Sequence, residues 1–207
     1  MDGAPSWAHY LLFEPLATPP EHLEGFPAYV LPVGASLYRV HRAHRSPWWF
    51  SSDGSGRFDL PLPAGTCYMA EEPLAALLET ARGLTLLSEE FLAGRRLFSV
   101  SLPAPFRLAD LTAPAAYGFG VTAELSATTD YTAPRAWAQA LRRAGFDGIR
   151  YHVRHDPRSM LTGTALFGRA GRAKNAPRGR SHELPAHLLL AAAPFGIRVA
   201  GPLPPER

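Results

Sequence analysis

The sequence predicts an α+β domain of short mixed or antiparallel strands with flanking helices, and three observations predict it. Short stretches of two-residue alternation recur along the chain without a regular strand–helix–strand series. Two segments, "EEPLAALLETAR" and "APRAWAQALRRAG", carry a clear helical apolar period. No internal repeat is present, and 207 residues suffice for one domain that buries about 70% of its unfolded surface.

Residues 1–34 are rich in proline ("PLATPP", "GFPAYVLPVG") and read as an arm packed on the domain, with at most one short helix. The main body, 35–168, opens with "SLYRVHR" (36–42), which alternates as a strand. "SSDGSGRFDLPLPAG" (51–65) is a loop, because its glycines and prolines forbid long regular structure, and "TCYMA" (66–70) is a second strand. In "EEPLAALLETAR" the residues Leu74, Leu77, Leu78 and Ala81 share a helix face. Glu71 and Glu72 stand near its positive end, Pro73 is tolerated in the first turn, and Gly83 ends it.

"RRLFSVSLP" (95–103) alternates as a strand, and "APRAWAQALRRAG" (133–145) is an amphipathic helix closed by Gly145. "FDGIRYHV" and "GTALFG" follow as two more strands. Residues 169–182 lack apolar periodicity and are expected to form a basic mobile loop. Residues 183–207 are expected to return as a helix and a strand completing the same domain.

A hydrophobic fraction of 46% excludes a disordered chain, and no apolar run approaches the roughly 18 residues of a membrane span. "MDGAPSWAHYLLFEPL" lacks the features of a secretory signal, and a lone cysteine, Cys67, precludes an internal disulfide, so a cytoplasmic location is expected. The net charge of +3 is unevenly spread: residues 1–30 hold four acids and no Lys or Arg, while "YRVHRAHR" (38–45) and "GRAGRAKNAPRGR" (168–180) concentrate the cations.

GxGxxG after a strand, GxxxxGK[ST], HExxH, GxSxG and paired-cysteine motifs are all absent. Of the eight histidines, His41, His44, His152 and His155 sit among arginines that would repel a cation, so no metal is expected. Cys67 and Tyr68 point to opposite faces of their strand, which reads the thiol as a buried structural group. The basic stretch and "WWF" (48–50) have the chemistry to contact phosphates and bases, but a solvated loop and a core aromatic cluster explain them equally. Nucleic acid is not expected as a partner. Periodicity alone makes Glu79 a solvated helix charge able to pair with Arg82.

Taken together, "LYRVHR", "GRFDLPLPAGTCYMAEEPLAALLE" and "AGFDGIRYHVRHDPRSMLTGTALFG" resemble the RES-domain family over residues 36–168. The resemblance implies a fold similar to ADP-ribosyltransferases, an NAD+-consuming activity, and a role as the toxin of a bacterial pair whose partner is an Xre-type antitoxin. It implies that 35–168 is the catalytic domain, with NAD+ as substrate and no cofactor. By the same resemblance Glu79 is catalytic, Arg57 anchors the pyrophosphate and Tyr68 stacks on nicotinamide, and Arg39, Ser51 and His152 are further NAD+ contacts.

These residue types suit that chemistry. Cleavage of the nicotinamide–ribose bond develops positive charge on the sugar, which a carboxylate stabilises, and nicotinamide departs neutral, so no general acid is needed. Hydrolysis and phosphorolysis are both compatible, and the alternatives are an ADP-ribosyltransferase and a non-catalytic binding domain. One position departs from the family pattern Tyr-x-Ser-Arg: "YHVR" has Val153 where the serine would stand. Either a nearby group such as His152, Ser51 or Ser52 substitutes for the missing hydroxyl, or the site has drifted toward another substrate or weaker activity, in which case Val153→Ser is expected to raise NAD+ turnover or affinity.

Overall fold

The computed structural model describes residues 18–203. In chain order its strands are β1 (Ala28–Leu31), β2 (Ser36–Arg42), β3 (Trp49–Phe50), β4 (Ala64–Ala70), β5 (Leu86–Leu87), β6 (Arg95–Ser101), β7 (Phe106–Asp110), β8 (Gly148–His152), β9 (Thr162–Arg169), β10 (Gly171–Arg172), β11 (Arg180–His182) and β12 (Arg198–Val199). The helices are α1 (Pro73–Ala81), α2 (Glu89–Ala93), α3 (Ala123–Ala127), α4 (Thr132–Arg143) and α5 (Ala186–Ala191).

Eight strands form one sheet in the order β1-β7-β8-β9-β4-β2-β6-β11. Its neighbours are antiparallel except β7 and β8, which run parallel and are joined through α3 and α4, the crossover that a parallel pair requires. Around this mixed sheet α1 starts at Pro73, whose missing N–H is one the first helical turn leaves unpaired, and ends where Arg82 adopts φ 50° and its N–H reaches Leu78 O. The helix buries Ala75, Ala76, Leu77, Leu78 and Ala81 against Val40, Leu97, Val153 and the apolar face of α5. A second cluster joins Trp137 and Leu141 of α4 to Phe58, Ile149 and Tyr151. On β4, Cys67 and Met69 enter a third cluster with Trp48, Phe98 and Leu166, while Tyr68 packs against the second.

In two of the expected segments the structure adds strand pairing. The part of the arm that is described is not only packed on the domain: β1 pairs with β7 from Ala28↔Ala109 to Leu31↔Phe106 and forms one edge of the sheet. Residues 1–17, where a short helix was an option, lie outside the described residues. The expected mobile loop at 169–182 is held at both ends, because β10 pairs with β3 and β11 pairs with β6 as the opposite edge of the sheet. Between them, Trp48 Nε1–H donates to Pro177 O at 3.0 Å and Ala173 N–H donates to Trp48 O at 3.1 Å. Main-chain pairing needs no apolar side chains, so a polar, arginine-rich sequence gives no sign of it.

In the C-terminal segment α5 packs on α1, and β12 pairs with β5. No helix among the described residues is long and apolar enough to cross a membrane.

Trp48→Ala removes a buried indole together with the donor to Pro177, and should cost about 4 kcal/mol. Limited proteolysis should leave 169–182 intact in the wild type and cut it in this variant; early cleavage of the wild type in that segment would show that the strand pairing does not hold it.

Candidate active site

Strands β2 and β4 share a single register pair, Tyr38↔Ala70, whereas β2 follows β6 over seven pairs and β4 follows β9 over seven. Past Tyr38 the two strands separate, and a cavity of about 650 Å³ opens between them. Arginines dominate its polar lining: Arg39, Arg42, Arg45, Arg57, Arg82, Arg95 and Arg154 face it against two acids, Asp53 and Glu79.

Glu79 flanks the buried stripe of α1 and is half-buried in the cavity wall. The Tyr151 hydroxyl donates to Glu79 Oε2 at 3.2 Å. Burial raises the Glu79 carboxyl above its ordinary range, opposed by the nearby Arg57 charge, the Tyr151 hydrogen bond, Arg82 and the Arg154 main chain. Burial, and then the facing carboxylate, push the Tyr151 phenol well above its ordinary value, so it remains a donor. The ring fits because its cross-strand partner is Gly163: a Cβ there would lie 2.6 Å from Tyr151 Cζ.

The loop 51–63 is organised by one buried carboxylate. Asp59, 2% exposed, accepts from Gly56 N–H at 2.9 Å, from Ser51 Oγ–H at 3.1 Å and from the Tyr68 hydroxyl at 2.9 Å. The Tyr68 oxygen in turn accepts from Phe58 N–H at 2.8 Å. Gly56 lies directly over this junction, where a Cβ would stand 2.3 Å from Asp59 Oδ1 and 2.4 Å from the Tyr68 oxygen. The close approach thus requires glycine, and it sets the next residue, Arg57, at the cavity. The Arg57 guanidinium donates to Thr128 O and lies 5.0 Å from the centroid of the Tyr131 ring.

Arg39 reaches from β2 across the gap, donating through Nη1 to Pro47 O at 2.7 Å and to Cys67 Sγ at 3.0 Å. Cys67 is fully buried, and that burial raises its thiol pKa. Among the described residues no group of three or more His, Cys, Asp or Glu is placed to hold a metal.

A family model describing the RES domain matches residues 36–187, the stretch that contains this cavity's lining. The chain belongs to the RES-domain family. Its fold is similar to that of a chain in the crystal structure of the M. tuberculosis MbcT–MbcA toxin–antitoxin complex, with a TM-score of 0.57 and 20% identity over 75% of this chain and 86% of that one. No curated protein matches the sequence.

Within this RES domain the structure brings Arg39, Ser51, Arg57, Tyr68 and Glu79 to one cavity. Ser51 is in the wall, but its hydroxyl is engaged with Asp53 and Asp59. His152 is not among the residues lining the cavity, because alternation along β8 gives Tyr151 the inward position. Val153 is also displaced from the role its alignment implies, since it is 1% exposed and packed with Leu77, Leu78 and Leu188. Glu79 and Arg82 form no ion pair among the described residues. Sequence reasoning misses Asp59, Tyr131 and Tyr151, and weighs His155 only as a metal ligand, although it lines the cavity. The one readable sign is the aspartate that directly follows the Gly-Arg-aromatic stretch.

Two substitutions test this geometry. Gly56→Ala should displace the loop and lower activity on any substrate of the cavity by tenfold or more, about 1.4 kcal/mol of transition-state stabilisation, with wild-type-like circular dichroism. Val153→Ser should lower stability by about 2 kcal/mol, as expected for a hydroxyl buried among leucines, without raising turnover; a gain in turnover would place its side chain in the cavity after all.

Proposed function

We propose that this RES domain is an NAD+-degrading enzyme that cleaves the nicotinamide–ribose bond by hydrolysis or phosphorolysis, acting as the toxin of a bacterial toxin–antitoxin pair in the cytoplasm. The observation that carries this reading is Glu79: a carboxylate oriented by Tyr151 beside Arg57 in an arginine-lined cavity. The cavity volume, about 650 Å³, is in the range of cofactor-sized sites.

In this reading Arg57 pairs with the pyrophosphate, for which a forked guanidinium is suited. Tyr68 offers a ring face and no free hydroxyl, because its oxygen is held by Asp59 and Phe58, so it contributes by stacking on nicotinamide. Tyr151 holds Glu79 Oε2 and the Arg154 main chain also bonds the carboxylate, whose remaining lone pairs meet a ribose hydroxyl and the positive charge that grows as the bond to nicotinamide breaks. The bonding pair leaves with nicotinamide, and water or phosphate supplies the pair that completes the sugar, the proton released by an attacking water passing to solvent. Family membership and the likeness to a chain of a toxin–antitoxin complex support a protein antitoxin as partner, of the Xre type by the resemblance.

Glu79→Gln keeps the shape and removes the charge. NAD+ consumption should fall 100-fold or more, about 3 kcal/mol of transition-state stabilisation, while the melting temperature holds. Near wild-type consumption by the folded variant would end the assignment. The products separate the routes: free ADP-ribose marks hydrolysis, a phosphorylated ADP-ribose marks phosphorolysis, and label on an acceptor marks transfer.

The raised Glu79 pKa also sets two opposite pH trends. Activity requires the carboxylate, so its acid limb should lie above the ordinary glutamate value of about 4.3. Stability runs the other way: the folded protein holds this proton more tightly than the unfolded chain. The contribution of Glu79 is therefore full below its unfolded pKa and is lost as pH rises through its folded pKa. Chemical denaturation across that window, compared with Glu79→Gln, should show the slope in the wild type alone.

A further inference from the structure

The outer end of the cavity holds three arginines that the proposed cleavage does not use. Arg42 and Arg95 are direct cross-strand partners, at the last position of β2 and the first of β6. Like charges placed opposite each other in this way destabilise a sheet. The nearby Arg42 charge disfavours the charged form of Arg95, second only to burial. No ion pair relieves the clash: among the described residues the salt bridges involve only Arg150 and Arg158.

The clash is also built in rather than accidental. His41, 8% exposed, donates from Nδ1 to Arg42 O at 2.9 Å and Arg45 O at 3.1 Å, and its Nε2 meets Ser181 Oγ at 3.1 Å. Arg45 N–H donates to Arg42 O at 2.9 Å, and Ala43 N–H donates to Gly94 O at 2.9 Å. This turn fixes the backbone from which Arg42 and Arg45 project, while the Arg95 guanidinium rests 5.0 Å from the centroid of the Phe91 ring. All three line the same cavity as Glu79.

Resting on the reading of the cavity as a dinucleotide site, we propose that Arg42, Arg45 and Arg95 form a second anion site that takes a phosphate monoester dianion. The pyrophosphate faces Arg57, so the dianion is a separate group: a 2′-phosphate carried by the substrate, as in NADP+, or free inorganic phosphate. A dianion between three guanidiniums removes the unpaired repulsion and gains charge-assisted hydrogen bonds that a neutral ribose hydroxyl does not offer.

The test uses the full chain and the double variant Arg42→Gln/Arg95→Gln, with Arg45→Gln, at an exposed position, as a second variant. Two quantities are measured: KM for NAD+ and for NADP+, and calorimetric binding of inorganic phosphate. Expected for a substrate-borne phosphate is a wild-type KM for NADP+ about tenfold below that for NAD+, collapsing toward equality in the double variant. Phosphate binding that the variants lose, with no preference between dinucleotides, assigns the same site to free phosphate.

Equal dinucleotide ratios together with equal phosphate binding in wild type and variants would overturn the proposal. So would a lowered melting temperature in the double variant, because relief of the Arg42–Arg95 repulsion should hold or raise it. Consumption of neither dinucleotide would defeat the NAD+ reading alone, since phosphate binding is read independently.

Discussion

The structure turns on the parting of β2 from β4 after the single pair Tyr38↔Ala70. A sheet that opens in its middle exposes main-chain groups that must find other partners. Here Ser51 bridges to Thr66 by two hydrogen bonds of 2.8 Å, and Arg39 occupies the carbonyls of Pro47 and Trp49. The loop 51–63 is therefore more than a connection: it covers the free edge of β4 while delivering Ser51, Arg57 and the support of Tyr68 to the cavity. One backbone constraint thus sets both where the cavity lies and which side chains line it.

Charge is the second consequence. Burying Glu79 disfavours its ionised form, and the adjacent Arg57 opposes that penalty. Arg57 is itself partly buried, held by the Thr128 carbonyl and the Tyr131 face. Arginine suits such a place better than lysine because its planar, weakly hydrated cation stacks on an aromatic ring while still pointing donors at an anion. Seven arginines facing two acids make the cavity receptive to anions.

Much of this was legible in the sequence where local pattern and tertiary structure agree. The strand read at 36–42 and the helix read from "EEPLAALLETAR" coincide with β2 and α1 because their alternation and period are strong. The edge strands β1 and β11 were not legible, since they are short and largely exposed. The inward turn of Glu79 was hidden for a different reason. Its neighbours Leu77 and Leu78 satisfy the apolar stripe, and nothing local reports that Tyr151, 72 residues later, waits beside the helix. Arg57, Tyr68 and Glu79 became a set only through their resemblance to the family pattern, and His152 shows its limit: a matched stretch fixes the backbone course, while alternation along β8 turns Tyr151, and not His152, to the cavity.

That alternation explains why a single carboxylate can serve the proposed reaction. β8 presents Tyr151 inward, and Val153, just past the end of the strand, packs in the core with Leu77 and Leu78 of α1, so one short stretch orients Glu79 through a hydroxyl and fixes its helix through packing. A phenol whose pKa is pushed up stays protonated, holds one carboxylate oxygen and takes no proton in the step. Because nicotinamide leaves without needing one, the cavity requires a fixed negative charge rather than an acid–base pair. In the proposed reaction burial then has a use despite its effect on the Glu79 pKa: a half-buried carboxylate is less screened by water, so it would act more strongly on the sugar where positive charge develops.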